Sequence, residues 1–301
     1  MIIESILVSV VIPVYNREIE LKRAINSVLK QNIQDFEILV IDDFSEIDLK
    51  NVCISFNDKR IKYHRLEKKG NGNICRNYGI QLAQATYIAM LDSDDEWLEN
   101  HLELKIKKIK ESNADGVFGS IIVDDSINKS IVISRPFAKN EKMINYLLSG
   151  GSAPTPSHVY KRECAKNILW DELLLRHQDY DFSVRFAKKY TFIPSSDVTC
   201  VVYWQKGTER DLSIESQLRF MITNVNDIDP VLYNQYFKNL YFKIYNLKNI
   251  SNALKEQIQQ QSSYYIKSCS LNDYVSVNGI DKTVFYKLWL RLKFIRKVAL
   301  S

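Results

Sequence analysis

The chain has 301 residues, of which 46% are hydrophobic, so it is long enough to bury one large core, or one core with an appended unit. That composition argues against a disordered or fibrous protein. The 41 basic and 36 acidic residues leave a net charge of +5, which permits an anionic partner but is too small and dispersed to indicate nucleic-acid binding.

The cysteines and the first apolar run indicate the cellular setting. Cysteines occupy positions 53, 75, 164, 200 and 269, without a Cys-x-x-Cys pair, so the pattern suggests neither a disulfide framework nor a zinc site. We expect reduced thiols in a cytosolic protein. The run from Ile6 to Val14 follows Glu4 rather than a basic segment and is far shorter than the roughly 20 residues that span a bilayer.

Strands and helices alternate along the first part of the chain. The β-branched run at 6–14 predicts a parallel strand that is buried on both faces and ends near Pro13. After it we expect, in chain order, a helix at 17–31, strands at 36–42 and 61–66, a helix at 73–83, a strand at 86–91, a helix at 96–111, apolar stretches at 117–123, 157–160 and 198–204, and a helix at 179–190. This alternation predicts an α/β fold with an open, mostly parallel sheet, whose ligands bind beyond the carboxyl ends of the strands.

Acidic residues follow two of these predicted strands. One group is Asp42-Asp43, and the other lies within Leu91-Asp92-Ser93-Asp94-Asp95-Glu96-Trp97. Packing does not explain carboxylates that are crowded into a turn, because like charges repel. A Mg²⁺ or Mn²⁺ ion does explain them, since one or two carboxylates and substrate phosphates commonly hold it. The alternative is a solvated turn in which Asp94 or Asp95 caps the next helix.

Five segments in order resemble the family 2 glycosyltransferases, which have a GT-A fold. The matching segments are Val10-Val-Ile-Pro-Val-Tyr-Asn-Arg17, Ile38-Leu-Val-Ile-Asp-Asp-Phe-Ser45, Gly70-Asn-Gly-Asn-Ile-Cys-Arg-Asn-Tyr-Gly-Ile80, the stretch from Thr86 to Trp97, and Gln178-Asp-Tyr-Asp-Phe-Ser-Val-Arg-Phe-Ala-Lys188. Each segment alone is a weak signal. Together they cover about the first 190 residues in the family's order, so chance agreement is improbable.

The resemblance implies a nucleotide-diphospho-sugar transferase fold with a mixed, mostly parallel sheet flanked by helices. It implies a GT-A domain at 1–212, with a donor-binding half at about 1–115 and an acceptor half at about 116–212. Beyond it we expect an appended helical region at 213–301.

The resemblance also implies the residues that bind the donor. Pro13 and Tyr15 would line the nucleotide pocket, and Asp43 would accept a hydrogen bond from the nucleobase, for which a uracil imide offers the donor. Arg76 would add positive charge near the donor. For Asp43 the alternative is a turn residue that satisfies local backbone amides, and for Arg76 it is a surface helix residue.

The acidic turn would hold the metal. The resemblance places Asp92 by the ribose and makes Asp94 the main ligand of Mn²⁺ or Mg²⁺, with Asp92 assisting. Asp95 would support the turn or a metal-bound water. Related enzymes often add a late histidine ligand, but this chain has no histidine after His177, so the donor phosphates would supply much of the metal's coordination. We assign no catalytic role to His158 or His177.

Asp179 is the predicted general base. Inversion needs a carboxylate that faces the acceptor hydroxyl, and an ordinary aspartate pKa of about 3.9 is low for that task at neutral pH, so either the pKa is raised or proton transfer lags. Asp181 would take the role if the segments were misaligned, and the alternative for Asp179 is a helix cap.

The C-terminal segment at 285–300 predicts a basic amphipathic helix. It could lie on an anionic membrane at the inner face of the plasma membrane, near lipid-linked acceptors, or it could pack on the body of the protein or on a second subunit.

Two other enzyme classes and a binding module are alternatives to a glycosyltransferase. A dinucleotide-dependent oxidoreductase is disfavoured because Cys75 replaces the third glycine of its fingerprint. A metal-dependent nucleotidyltransferase should show a basic or glycine-rich triphosphate loop, and none is evident in the sequence. A non-catalytic sugar-nucleotide or glycan-binding protein would not need the base predicted at Asp179. We therefore expect an inverting glycosyltransferase that moves a sugar from a UDP-sugar to an acceptor hydroxyl. The resemblance further implies a glycan or lipid-linked acceptor and a role in bacterial surface-polysaccharide or glycoconjugate assembly.

Overall fold

A computed structural model describes residues 6–204 and 213–245. Across these residues one mixed sheet contains nine strands: β1 (Val8–Val14), β2 (Phe36–Asp42), β3 (Ile61–Arg65), β4 (Tyr87–Met90), β5 (Glu96–Trp97), β6 (Gly116–Asp124), β7 (Lys129–Val132), β8 (Val159–Lys161) and β9 (Phe192–Tyr203). The strand order is β3-β2-β1-β4-β8-β6-β9-β5, and β7 pairs with β6 outside this path.

The described residues also form α-helices. They are α1 (Glu18–Leu29), α2 (Leu49–Ile54), α3 (Gly72–Leu82), α4 (His101–Glu111), α5 (Met143–Leu148), α6 (Arg162–Lys166), α7 (Gln178–Lys189), α8 (Ile214–Thr223) and α9 (Pro230–Tyr245). Short 3₁₀ turns lie at Thr155–Ser157 and Val225–Asp227. Of the helices described, none has the length and apolar character required to cross a bilayer.

Strands β3, β2, β1 and β4 run parallel, and β8 then joins β4 in the antiparallel direction. Strands β6 and β9 are parallel to each other, while β5, β7 and β8 pair antiparallel with their neighbours. The sheet is therefore mixed, as predicted. The carboxyl ends of β1, β2 and β4 meet at one edge, because these strands are adjacent and parallel.

Alternate residues of β1 face opposite layers of helices. Val10 and Ile12 join the buried cluster that includes α1 and α4, and the predicted apolar stripe of α1 is buried there. Val11 faces α3 on the other side. A Cβ at Gly79 of α3 would lie 2.4 Å from Val11 Cγ1, so the absence of a side chain lets this helix pack close to the sheet.

The helix predicted from residue 96 was wrong at its start. Glu96 and Trp97 form β5 and pair with β9, and α4 begins only at His101. Trp97 is buried and its indole N–H donates to the Pro156 carbonyl at 2.7 Å. A long-range pairing thus overrides the local helical pattern.

The chain divides into two compact units between Asp227 and Ile228, so α8 lies in the first unit. The predicted boundary at 212/213 and the two functional halves stay predictions. The amphipathic helix predicted at 285–300 lies outside the described residues.

Candidate active site

A cavity of about 340 Å³ opens where β1, β2 and β4 end. The residues that line it include every side chain predicted to bind the donor: Pro13, Tyr15, Asp43, Arg76, Asp92 and Asp94. These residues come from four separate segments of the chain. The fold therefore brings the predicted donor-binding residues together, while the ligand that they bind stays a prediction.

The two aspartates after β2 have different structural roles. Asp42 is fully buried and accepts hydrogen bonds from the Ser45 backbone N–H at 2.9 Å and the Tyr63 hydroxyl at 2.6 Å. Asp43 lines the cavity, and its Oδ1 accepts from the Gly70 N–H at 2.6 Å. Asp42 is thus the residue that satisfies the local turn, whereas Asp43 joins the end of β2 to the loop before α3.

The acidic turn is closed by a hydrogen bond from the Asp95 N–H to the Asp92 carbonyl at 3.0 Å. Asp92 and Asp94 line the cavity, but Asp95 is buried and accepts from the Tyr203 N–H at 3.1 Å. Neither Asp94 nor Asp95 caps a helix, because β5 follows the turn and Asn100 stands at the N-cap of α4. The helix-cap alternative is therefore excluded.

Negative charge is crowded in this turn. Burial and the neighbouring charge of Asp92 raise the pKa of Asp94, although Arg17 opposes that shift. Burial, Asp92 and Asp94 together raise the pKa of Asp95 well above its ordinary value. A cation placed beside the turn would relieve this repulsion.

Arg76 is buried rather than exposed on a helix surface. Its Nη2 lies 2.6 Å from Asp92 Oδ1, and its Nη1 donates to Asn73 Oδ1 at 3.0 Å and to Gln178 Oε1 at 3.3 Å. Its guanidinium carbon lies 4.8 Å from the centre of the Trp170 ring. Burial, the largest single effect, would lower the pKa of Arg76, but the charge and hydrogen bond of Asp92, together with the charges of Tyr160 and Asp179, outweigh it and the net shift is upward.

Asp179 lies in the first turn of α7, beside Gln178 and so close to the Arg76–Asp92 pair. Its side chain is partly exposed and accepts from the Tyr180 N–H at 3.0 Å. Although the residue is partly exposed, the protein packed around its carboxyl group reduces the hydration of that group and raises the pKa of Asp179 to about 6, against the lowering effect of the hydrogen bond from Tyr180. The N-cap of α7 is His177, so Asp179 is not the helix cap.

Asp181, the fallback candidate for the base, is engaged elsewhere. It is buried, and its Oδ2 accepts from Arg185 Nε at 2.8 Å and Nη2 at 2.6 Å. Two hydrogen bonds from Arg185 occupy this carboxylate oxygen, so it is engaged within α7 rather than directed to an acceptor hydroxyl. Asp179 therefore remains the better candidate.

Three asparagines of α3 and its N-cap hold the segment that leads into α7. Asn73 Nδ2 donates to the carbonyls of Asp171 at 2.7 Å and Leu174 at 3.0 Å. Asn71 and Asn77 bind further backbone carbonyls of the same segment, at Glu172 and Trp170. These contacts are not predictable from the sequence, because polar helix residues ordinarily indicate a solvated face.

Two basic residues at the cavity were also missed. Arg17 lines the cavity and its Nη1 lies 2.5 Å from Asp94 Oδ2. Lys69 lies over the ring of Tyr15, with Nζ 3.5 Å from the ring centre. Arg17 is the last residue of the first matching segment, and Lys69 directly precedes the segment that begins at Gly70.

The donor set fits a hard divalent cation whose remaining ligands come from a substrate. Among the described residues, no group of three or more histidine, cysteine, aspartate or glutamate side chains converges as a metal site. His158 is fully buried and its Nε2 contacts the Ala153 carbonyl at 3.0 Å, so it is no candidate ligand. Asp92 and Asp94 alone face the cavity from the acidic turn, which matches the one or two carboxylates of many Mg²⁺ sites.

Two curated relatives and one solved structure illustrate what the chain resembles. It is 30% identical over 191 residues to the amylovoran biosynthesis glycosyltransferase AmsB of Erwinia amylovora, covering 60% of this chain and 64% of the relative. It is 33% identical over 145 residues to the UDP-Glc:alpha-D-GlcNAc-diphosphoundecaprenol beta-1,3-glucosyltransferase WfgD of Escherichia coli, covering 48% of this chain and 56% of the relative. The alignment thus spans less than two thirds of either relative.

The crystal structure of S. aureus TarS residues 1–349 in complex with UDP-GlcNAc aligns with 90% of this chain and 76% of that chain, at a TM-score of 0.58 and 20% identity. This similarity confirms the predicted fold class, a GT-A sheet flanked by helices. The model of the family described as glycosyl transferase family 2 matches residues 9–169, which is more than half of the chain. On that match, and with the family's ordered motifs gathered around one cavity, the chain belongs to glycosyl transferase family 2.

Proposed function

We propose that this chain is an inverting glycosyltransferase that moves a sugar from a UDP-sugar to the hydroxyl of a glycan or lipid-linked acceptor in bacterial surface-glycan assembly. One observation carries the proposal. Asp43, Arg76, Asp92 and Asp94 line a single cavity at the carboxyl edge of the sheet, and Asp179, whose pKa is raised to about 6, interacts electrostatically with Arg76 and Asp92 of that cavity.

The relatives support the substrate class. The name of WfgD describes a UDP-glucose donor and a diphosphoundecaprenol acceptor, and TarS was crystallised with UDP-GlcNAc.

The cavity residues would bind the nucleotide as follows. Pro13 and Tyr15 provide its apolar and aromatic wall, and the carboxylate of Asp43 accepts a hydrogen bond from the uracil imide N–H. Arg76 fixes Asp92, which would contact the ribose, and adds positive charge beside the diphosphate. Asp94, with Asp92, would hold Mg²⁺ or Mn²⁺. Such a cation supplies charge that stabilises the departing diphosphate.

Asp179 would act on the acceptor. Its carboxylate takes the proton of the acceptor hydroxyl as that oxygen bonds to the anomeric carbon, while the bond from that carbon to the diphosphate oxygen breaks on the opposite face. The result is inversion, with UDP as the leaving group. A pKa of about 6 leaves Asp179 ionised at neutral pH but more basic than an ordinary aspartate.

Product analysis tests the proposal. Wild-type protein, a panel of UDP-sugars, Mn²⁺ and lipid-linked or glycan acceptors should yield glycosylated acceptor and UDP in equal amounts. Asp179→Asn should lose most of this activity. Asp35→Asn, which makes the same chemical change at an exposed aspartate, should be as active as wild type. Pyrophosphate release with nucleotide incorporation would instead indicate a nucleotidyltransferase, and tight UDP-sugar binding without turnover on any acceptor would indicate a binding protein.

A further inference from the structure

Two acid–arginine pairs line the cavity, and they differ in how firmly they are held. In the Arg76–Asp92 pair the side chains are 9% and 27% exposed, and Asn73 and Gln178 also bind the guanidinium. In the Arg17–Asp94 pair the side chains are 45% and 32% exposed. Asp94 is the one ion-pair partner of Arg17 among the described residues.

This difference identifies the pair that can open. Water screens an exposed ion pair, so little free energy is needed to separate its charges. Separating a buried pair leaves an uncompensated charge in the low-dielectric protein interior, which costs far more free energy. Arg76 should therefore stay on Asp92, whereas Arg17 is free to exchange its partner.

Asp94 is also the carboxylate on which a divalent cation would bind. Its Oδ2 is in contact with Arg17 Nη1 at 2.5 Å, so a cation that takes this oxygen must compete with the guanidinium. The displaced Arg17 stays at the cavity wall with its charge no longer neutralised. A guanidinium is well suited to bind phosphate oxygens with two parallel N–H groups.

We propose that Arg17 holds the carboxylate of Asp94 until a divalent cation displaces it, and that the freed guanidinium then binds the diphosphate of the nucleotide. This inference rests on the proposed function, because it needs a cation and a nucleoside diphosphate in the cavity. With both acids paired, neither Arg17 nor Arg76 offers an unneutralised charge to a diphosphate. Binding of the cation supplies two positive groups, the metal and Arg17, which couples metal binding to nucleotide binding.

Replacement of Arg17 therefore has opposite effects on the two ligands. Arg17→Gln removes the competitor, so Mn²⁺ alone, titrated by electron paramagnetic resonance, should bind about threefold more tightly than to wild type. In saturating Mn²⁺, calorimetry should show UDP binding about tenfold more weakly, because the diphosphate loses a charge-assisted donor. Arg17→Lys keeps the charge but not the planar guanidinium, so its affinities for Mn²⁺ and for UDP should lie between those of wild type and Arg17→Gln.

Lys22→Gln is the matched control. It also removes one positive charge, from within α1 rather than from its N-cap, but Lys22 pairs with Glu18 at 2.7 Å instead of with Asp94. We expect wild-type affinity for both ligands in this variant. A general loss of positive charge would change Lys22→Gln and Arg17→Gln alike and would overturn the proposal.

The remaining outcomes separate this inference from the proposed function. If Arg17→Gln binds Mn²⁺ no more tightly than wild type, Arg17 does not compete with the cation for Asp94. If its affinity for UDP is unchanged, the freed guanidinium does not bind the diphosphate. Either result overturns this inference but leaves the metal-dependent binding of the nucleotide in place. Absence of Mn²⁺ binding by all the proteins, with and without UDP, would overturn both this inference and the metal site of the proposed function.

Discussion

Gln178 Oε1 accepts a hydrogen bond from Arg76 Nη1 at 3.3 Å, and through it the helix that carries Asp179 meets the helix that carries Arg76. These residues lie 102 positions apart in the chain. Arg76 in turn binds Asp92 at 2.6 Å. The candidate base and the acidic turn are thus linked through a single buried arginine.

Replacing the candidate base should separate catalysis from binding. Asp179→Asn removes the proton acceptor but leaves the cavity side chains in place, so kcat should fall by about 10²–10⁴-fold. The Kd of UDP should change little. Steady-state kinetics and calorimetry on the same preparations check this, and a wild-type kcat in Asp179→Asn would refute the assignment.

The same variant should be more stable than wild type at neutral pH. Because the folded-state pKa of Asp179 is raised to about 6, folding favours its protonated form. The associated stability is present at low pH and is lost as pH rises through about 6. At neutral pH, Asp179→Asn should therefore raise the free energy of unfolding by about 1 kcal/mol. Urea denaturation should show that this difference in the free energy of unfolding between the variant and wild type disappears at about pH 4. A difference that increases as the pH falls would contradict the raised pKa.

Activity should depend on pH through the same group. Protonated Asp179 has no basic oxygen to offer the acceptor, so kcat/KM should fall about tenfold per pH unit below about 6. The profile should be flat from there to neutral pH. Measuring kcat/KM at saturating Mn²⁺ and in several buffers separates this acidic fall from the effects of pH on metal binding and from effects of the buffer. A profile that stays level down to about pH 4.5 would mean that another group takes the proton.

Asp94→Asn should weaken metal-dependent donor binding. An amide oxygen is a poorer ligand of Mg²⁺ or Mn²⁺ than a carboxylate, so UDP affinity in the presence of Mn²⁺ should fall by about tenfold or more. Affinity measured in EDTA should change much less. Equal losses with and without metal would show that Asp94 acts on the nucleotide without a cation.

Asn73 should support both stability and turnover. Asn73→Ala leaves the carbonyls of Asp171 and Leu174 without their donor and Arg76 without one acceptor. We expect a loss of about 2 kcal/mol in the free energy of unfolding, and a larger fall in kcat than in UDP affinity, because the segment before Asp179 loosens. Asn26→Ala, at an exposed position of α1, is the control. Loss of UDP affinity with unchanged kcat would argue against a role in placing Asp179.

The order of elements was predictable from the sequence because buried parallel strands are nearly continuous apolar runs. The strand predicted at 36–42 has those bounds in the structure. The start of α4 was not predictable, because the pairing of Glu96 and Trp97 with β9 joins residues about 100 positions apart, and periodicity within a segment carries no information about it.

The candidate site divides in the same way. Asp43, Arg76 and Asp92 could be found because they follow strands or lie in a recognised segment. The contact of Arg17 with Asp94 could not, since the two residues are far apart in sequence and meet only when α1 packs beside the acidic turn. The asparagine contacts of α3 were hidden for the same reason, as their partners are backbone carbonyls of a distant segment.

The most direct test of the account is a crystal structure of the protein with UDP and Mn²⁺, with the metal located by its anomalous scattering. We expect uracil beside Asp43, the diphosphate between Arg17 and Arg76, and an anomalous peak within bonding distance of Asp94. Manganese bound away from the turn at 92–95, or UDP bound outside the cavity that these residues line, would contradict it.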